Sequence, residues 1–175
     1  MNILLIYPKF PDTFWSFTYA LSFIGKKAAF PPLGLITVAS LLPASWSRRL
    51  VDLNVDSLRE KDLSWADMAF ISGMAIQRKS AQEIIARCAG INLKVVAGGP
   101  LFTAEPDLFG EVDHLVLDEA EVTLSPFLSD LHDGHPQKIY RASDFCDIGD
   151  TPAPSWDLVN TRRYAALNIQ FSRGC

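Results

Sequence analysis

Five short apolar runs, separated by stretches of helical periodicity, constrain this chain more than any other feature. They are residues 2–8 (NILLIYP), 49–54 (RLVDLN), 67–74 (DMAFISGM), 93–100 (LKVVAGGP) and 112–119 (VDHLVLDE). Each is too short for a helix, and Pro8, Gly73 and Gly98-Gly99-Pro100 stop three of them, as expected of buried strands. Residues 32–42, 80–90 and 119–134 instead place apolar side chains at helical spacing. Pro32 suits a first helical turn. Ser80 with Glu83 reads as a capping box and Gly90 as a helix stop. Pro126 suits a first turn or a kink, and a further short helix is expected at 104–110. Strands alternating with helices predict an α/β chain with a parallel sheet covered on both faces.

Right-handed crossovers leave few topologies. The one expected is a doubly wound five-stranded parallel sheet of flavodoxin/Rossmann-like order 2-1-3-4-5. Past Gly134 the periodicity stops, and prolines and turn formers dominate. Residues 1–134 are therefore expected to form the domain. Residues 135–175 are expected to form a linker and then a strand at 167–172, with no partner left for it in the chain.

Composition excludes several classes. The net charge of −4 over 175 residues gives no basic footprint for nucleic acid. No apolar stretch reaches the roughly 18–20 residues of a membrane span, and the start shows neither a basic region nor a cleavage site. Cys88, Cys146 and Cys175 are odd in number and widely spaced. That pattern argues against a disulfide framework and for a reducing, cytoplasmic setting.

Ligands of such sheets bind beyond the carboxyl ends of the strands, so the loops there carry the functional expectations. The first loop, residues 9–31, is long and aromatic, with Phe10, Phe14, Trp15, Phe17, Tyr19, Phe23 and Phe30. It reads either as an extra helix on the core or as an apolar cover for a flat ligand or a neighbouring domain. Lys26 and Lys27 are either solvated or available to an anion. Gly73 and Gly98-Gly99-Pro100 are either ordinary strand-ending turns or places where backbone approaches a ligand. Asp118, Glu119 and Glu121 either favour a helix dipole or bond amide and hydroxyl groups of a ligand. The chain has no GxGxxG after its first strand and no GxxxxGK[ST]. His114, His132 and His135 do not have metal-site spacing with any cysteine.

Four segments together resemble one family. AAFPPLGLITVASLLP with RLVDLNV, VVAGGPLFTAEPD, LDEAEVTLSPFLSDL and TPAPSWDLVNTRRYAALNIQFSRGC resemble the cobalamin-binding N-terminal domain of the cobalamin-dependent radical S-adenosylmethionine enzymes and its connector. NILLIYPKFPDTFW and IGKKAAFPPLG resemble the subgroup that contains hopanoid methylases. The resemblance implies cobalamin over the carboxyl edge, held by Ser72, Gly73, Met74, Gly98, Gly99, Pro100, Asp118 and Glu119. The family's GEGE motif is Asp118-Glu119-Ala120-Glu121 here. The family's DxHxxG motif, which places a histidine on cobalt, does not occur, so the resemblance implies cobalt without a protein imidazole and a nucleotide tail displaced into the domain. SRGC would open the CxxxCxxC motif, making Cys175 one iron–sulfur ligand of a longer parent enzyme. There a C-terminal radical domain of the same chain would carry a 4Fe-4S cluster and S-adenosylmethionine. One thiolate cannot hold a cluster, so the chain as given is expected to be the binding half of a methyltransferase and catalytically incomplete. From the residues alone, a flavodoxin-like module binding a nucleotide or flavin, or serving as an interaction domain, stays open.

Overall fold

The structure is a computed structural model and describes residues 1–13 and 18–172. Phe14, Trp15 and Phe17 of the aromatic loop, and Cys175, lie outside the described residues. Six parallel strands form one sheet in the order β2-β1-β3-β4-β5-β6. They are β1 (Asn2–Tyr7), β2 (Ser47–Asp52), β3 (Met68–Ser72), β4 (Lys94–Gly98), β5 (His114–Val116) and β6 (Ile139–Tyr140). The expected order 2-1-3-4-5 is present, and a sixth strand extends it. β6 falls in the expected linker and is too short to show alternation. The N–H groups of Leu115 and Leu117 mark it, donating to Lys138 O and Tyr140 O at 2.8 and 3.0 Å. The strand expected at 167–172 is irregular backbone; an extended run without a ladder partner satisfies none of its own peptide groups.

Helices flank both faces: α1 (Thr18–Phe23), α2 (Leu33–Leu41), α3 (Glu60–Trp65), α4 (Arg78–Ala89), α5 (Pro100–Ala104) and α6 (Ala120–Asp133). No helix among the described residues is long and apolar enough to cross a membrane. Alternation along the strands divides the core in two. Leu4, Ile6, Ala69, Ile71, Val95 and Ala97 point to one face and pack against Leu63 of α3, Ala81, Ile84, Ile85 and Cys88 of α4, and Leu101 and Phe102 of α5. Ile3, Leu5, Met68, Phe70, Val96 and Val116 point to the other face and meet Leu35 and Ala39 of α2 and Leu124 and Phe127 of α6. Each large apolar side chain buried this way contributes about 1.5–3 kcal/mol.

Two helix expectations are corrected. α4 starts at Arg78, after a 3₁₀ turn over Ala75–Gln77, so Ser80 lies inside the first turn rather than at the cap. Its Oγ instead accepts the Lys9 N–H at 2.9 Å. Pro126 sits in the interior of α6, beyond the first turn, where the helix lacks one N–H donor. Gly134 closes α6 at φ 80°, a left-handed position that favours glycine. The short element expected at 104–110 is a 3₁₀ turn, Pro106–Phe109.

After β6 the chain stays on the domain. Ser155 N–H donates to Ile36 O of α2 at 3.0 Å, and Leu158 packs on the α2/α6 side of the core. Tyr164 is buried and bridges to Ala28, while Ala165 and Ala166 donate to Ala28 O and Ala29 O, both at 3.0 Å.

Candidate functional site

Among the described residues, α3, α4 and α5 cover one face of the sheet, and α2 and α6 cover the other. A cleft of about 240 Å³ opens at the carboxyl edge between the first turns of α2 and α6. Phe70, Val96, Val116 and Leu124 give it apolar walls, and Ser72, Thr37, Asp118, Glu119 and Gln170 give it polar groups. Cofactor pockets are commonly mostly apolar with a few placed polar atoms, and the carboxyl edge of an open α/β sheet is where they form.

Six of the eight cofactor residues implied by the resemblance line this one cleft: Ser72, Gly98, Gly99, Pro100, Asp118 and Glu119. Gly73 and Met74 do not. Gly73 O accepts the Leu101 N–H at 2.9 Å and Met74 N–H donates to Gln77 Oε1 at 2.8 Å, so both serve the turn into α4 and α5.

The glycines divide by cause. A Cβ on Gly98 would fall on Val116 O, and one on Gly99 would fall on Ser72 Oγ, both inside the 3.0 Å that real Cβ contacts keep. Gly99 also has φ 84°. Packing of β4 against β5 and β3 therefore demands both glycines before any ligand does. Gly34, the second residue of α2, is the reverse case: a Cβ there meets nothing within 4 Å. It lines the cleft, and sequence reasoning missed it, as it missed Thr37 and Gln170. The available signal was a glycine inside an otherwise apolar helix with no turn to make.

The acidic loop also resolves. Asp118 takes the positive φ, 62°, a conformation Asp tolerates better than most residues. Its N–H donates to Thr103 Oγ1 at 2.9 Å. Ala120, at the second glycine of the family motif, is already the first residue of α6 and needs no such conformation. Asp118 Oδ2 accepts the Ala142 N–H at 3.2 Å, Glu119 Oε2 the Cys146 N–H at 2.6 Å, and Glu121 Oε1 the Thr151 hydroxyl at 3.0 Å.

A buried polar cluster at the carboxyl ends of β1 and β2 also had no sequence signal. Asp52 Oδ1 accepts Asn54 N–H and Nδ2 at 2.8 and 2.7 Å, and its Oδ2 accepts the Tyr164 hydroxyl at 2.9 Å, from 112 residues away. Burial raises the Asp52 carboxyl above its ordinary value against the opposing pull of these hydrogen bonds. Burial, then the Asp52 charge, pushes the Tyr7 phenol up to about 12.

Lys26 and Lys27 donate to Arg162 O and Val55 O at 2.9 and 3.2 Å, so both ammonium groups are tied to neighbouring carbonyls. His114 is buried, with Nδ1 2.7 Å from Gln137 O and its ring against Phe127. His132 lies in the last turn of α6, and no histidine lines the cleft among the described residues. Cys88 is buried in the core, which pushes its thiol up to about 11. No group of three His, Cys, Asp or Glu side chains that could hold a metal ion forms among the described residues.

No family model matches the chain, and no solved structure matches it. Two curated proteins do. One, of Synechocystis sp. (strain ATCC 27184 / PCC 6803 / Kazusa), is named an uncharacterized methyltransferase; it is 44% identical over 177 residues, covering 100% of this chain and 33% of its own. The other is the hopanoid C-2 methylase of Rhodopseudomonas palustris (strain TIE-1), 33% identical over 179 residues, covering 99% of this chain and 34% of its own. The chain thus spans about a third of the length of the curated relatives it matches. Along essentially its whole length, the chain is homologous to a one-third portion of two larger proteins, one named a methyltransferase and the other a hopanoid C-2 methylase.

Proposed function

We propose that this chain is the cobalamin-binding part of a cobalamin-dependent radical S-adenosylmethionine methyltransferase, and that the cleft between α2 and α6 receives the nucleotide tail of the cofactor. The observation that carries the reading is the cleft itself: apolar, at the carboxyl edge, and walled on the α2 side by a glycine whose missing side chain points into open space. At about 240 Å³ it is smaller than the roughly 300–1,000 Å³ of pockets that enclose a whole ligand. It suits a flat portion of a large ligand whose remainder lies outside.

The residues present fit that group. Phe70, Val96, Val116 and Leu124 would exclude water from a planar aromatic tail. The hydroxyls of Ser72 and Thr37, the Gln170 amide and the Asp118 and Glu119 carboxylates would meet its hydroxyl and amide groups. The N-terminus of α2, with no acidic residue in its first turn, lies at the cleft and suits a tail that carries a phosphate. Bound cobalamin would supply a cobalt centre able to accept and release a methyl group. The sequence lacks the DxHxxG motif, and the reading carries a cobalt without a protein imidazole. In a protein of the relatives' length, the remainder would carry the radical domain, with Cys175 as one of three cysteine ligands of a 4Fe-4S cluster and S-adenosylmethionine as methyl source. The domain boundary near residue 134 belongs to the same proposal.

Titration of the chain with hydroxocobalamin tests it. The expected result is one-to-one uptake with a shifted visible spectrum that no histidine substitution alters, and loss of uptake in Gly34→Leu, which fills the cleft. No spectral change at saturating cofactor, or equal uptake by Gly34→Leu, overturns it. Tight binding of a flavin mononucleotide instead supports the flavodoxin-like alternative.

A further inference from the structure

We infer that residues 141–155 form a strap that gates the cleft, and that Asp118, Glu119 and Glu121 are its clasp. This rests on the cleft being the ligand site. The strap leaves the carboxyl end of β6, passes the first turn of α6 and reaches α2, so it spans the two helices between which the cleft opens. On the α6 side it is fastened by the three carboxylates, which take the Ala142 N–H, the Cys146 N–H and the Thr151 hydroxyl. On the α2 side Ser40 Oγ donates to Ala153 O at 2.7 Å, and Ser155 N–H donates to Ile36 O at 3.0 Å.

These fastenings are polar, and little apolar surface backs them. Phe145 is 85% exposed, and Ile148 is half-buried. Strap residues Ile148 and Pro152 line a second hollow of about 260 Å³ together with Leu33, Thr37, Trp156 and Gln170 among others. Thr37 and Gln170 line both spaces, so the hollow bordered by the strap adjoins the cleft. A segment fastened mainly by polar contacts opens more readily than the packed core. The clasp also has the polarity of the ligand chemistry proposed above: carboxylates on the cleft side, amide N–H and hydroxyl groups on the other. A ligand bearing amides and hydroxyls meets the same acids once the strap lifts. The strap therefore competes with the ligand for these acids and controls entry.

The test uses Ser40→Ala/Thr151→Val, which removes one side-chain fastening at each end and leaves every residue lining the cleft in place. Amide exchange followed by mass spectrometry reads the strap without any ligand. Exchange over 142–153 should accelerate about tenfold or more while β3 and β4 stay protected. Stopped-flow mixing with hydroxocobalamin, and a chase for release, read the gate: association should accelerate and affinity rise, with release nearly unchanged. Unchanged strap exchange overturns the clasp. Faster strap exchange with unchanged association, or with release accelerated as much as association, overturns the gate while leaving the cobalamin reading intact. A wild-type chain that takes up no hydroxocobalamin overturns the reading of the cleft, and the gate with it.

Discussion

The two faces of the sheet are built from the same strands and reach opposite ends. On the α3/α4/α5 face, every inward strand residue finds a helix above it, and Phe102 and Phe109 fill the remaining space with ring centroids 4.5 Å apart. On the α2/α6 face, the two helices leave the carboxyl third of β3, β4 and β5 uncovered, and the gap is a cleft. The strand residues do not explain this, since both faces are equally apolar. The difference lies in helix number and in what the helices carry at their first turns: α2 puts Gly34 at the gap, and α6 begins one residue after Glu119. One face is closed by its helices, and the other carries the cleft.

The contrast breaks if matched truncations cost the same. Leu101→Ala, at 0% exposure on the closed face, should lose about 4–5 kcal/mol, because nothing around it can collapse. Leu124→Ala, on the cleft wall, should lose only about 2–3 kcal/mol, since part of its surroundings is already open. Urea denaturation compares them directly. Next in size, Tyr164→Phe should cost about 1–3 kcal/mol by removing a donor from the buried Asp52 carboxylate, with binding affected through the returning segment.

The same cluster gives that side of the molecule a pH dependence. Asp52 is raised above its unfolded value of 3.8, so the native state binds the proton more tightly. Its contribution is fully present below 3.8 and is lost as pH rises through the higher native value. Asp52→Asn should flatten that slope in stability measured against pH. Tyr7, raised from 10.0 to about 12, contributes below pH 10 and loses that contribution as pH rises through 12; Tyr7→Phe should remove the alkaline loss. The smallest change in stability, and the sharpest test of the contrast, is Gly34→Leu. Gly34 lies in the first turn of α2, so stability should change by under about 0.5 kcal/mol while ligand uptake is abolished, read by thermal melting alongside the cofactor titration.

The sheet order was legible because buried parallel strands announce themselves as unbroken apolar runs such as NILLIY and VVAG. β6 was not, because two residues carry no period; only the ladder to Leu115 and Leu117 defines it. α3 was missed because EKDLSW buries a single large residue, Leu63, too few for a helical stripe. The site was expected in the loops at strand ends, and six of the eight residues come together in one cleft there. Gly73 and Met74 did not, because sequence adjacency to a strand end fixes the edge and leaves the choice of face open. The Asp52–Tyr164 hydrogen bond joins residues 112 positions apart, a separation at which local pattern carries no information.

A parallel sheet leaves two raw edges, each offering unpaired peptide groups to any passing strand. Here β6 closes one side with only two residues, too short to template an addition. β2 closes the other with Arg48 and Arg49, the first tied to Ala39 O at 2.7 Å and the second lying over the Trp65 ring at 4.0 Å. Neighbouring copies meet charge at one edge and almost no strand at the other. Resistance to edge-on fibre growth is thus built into the order in which the strands were laid down.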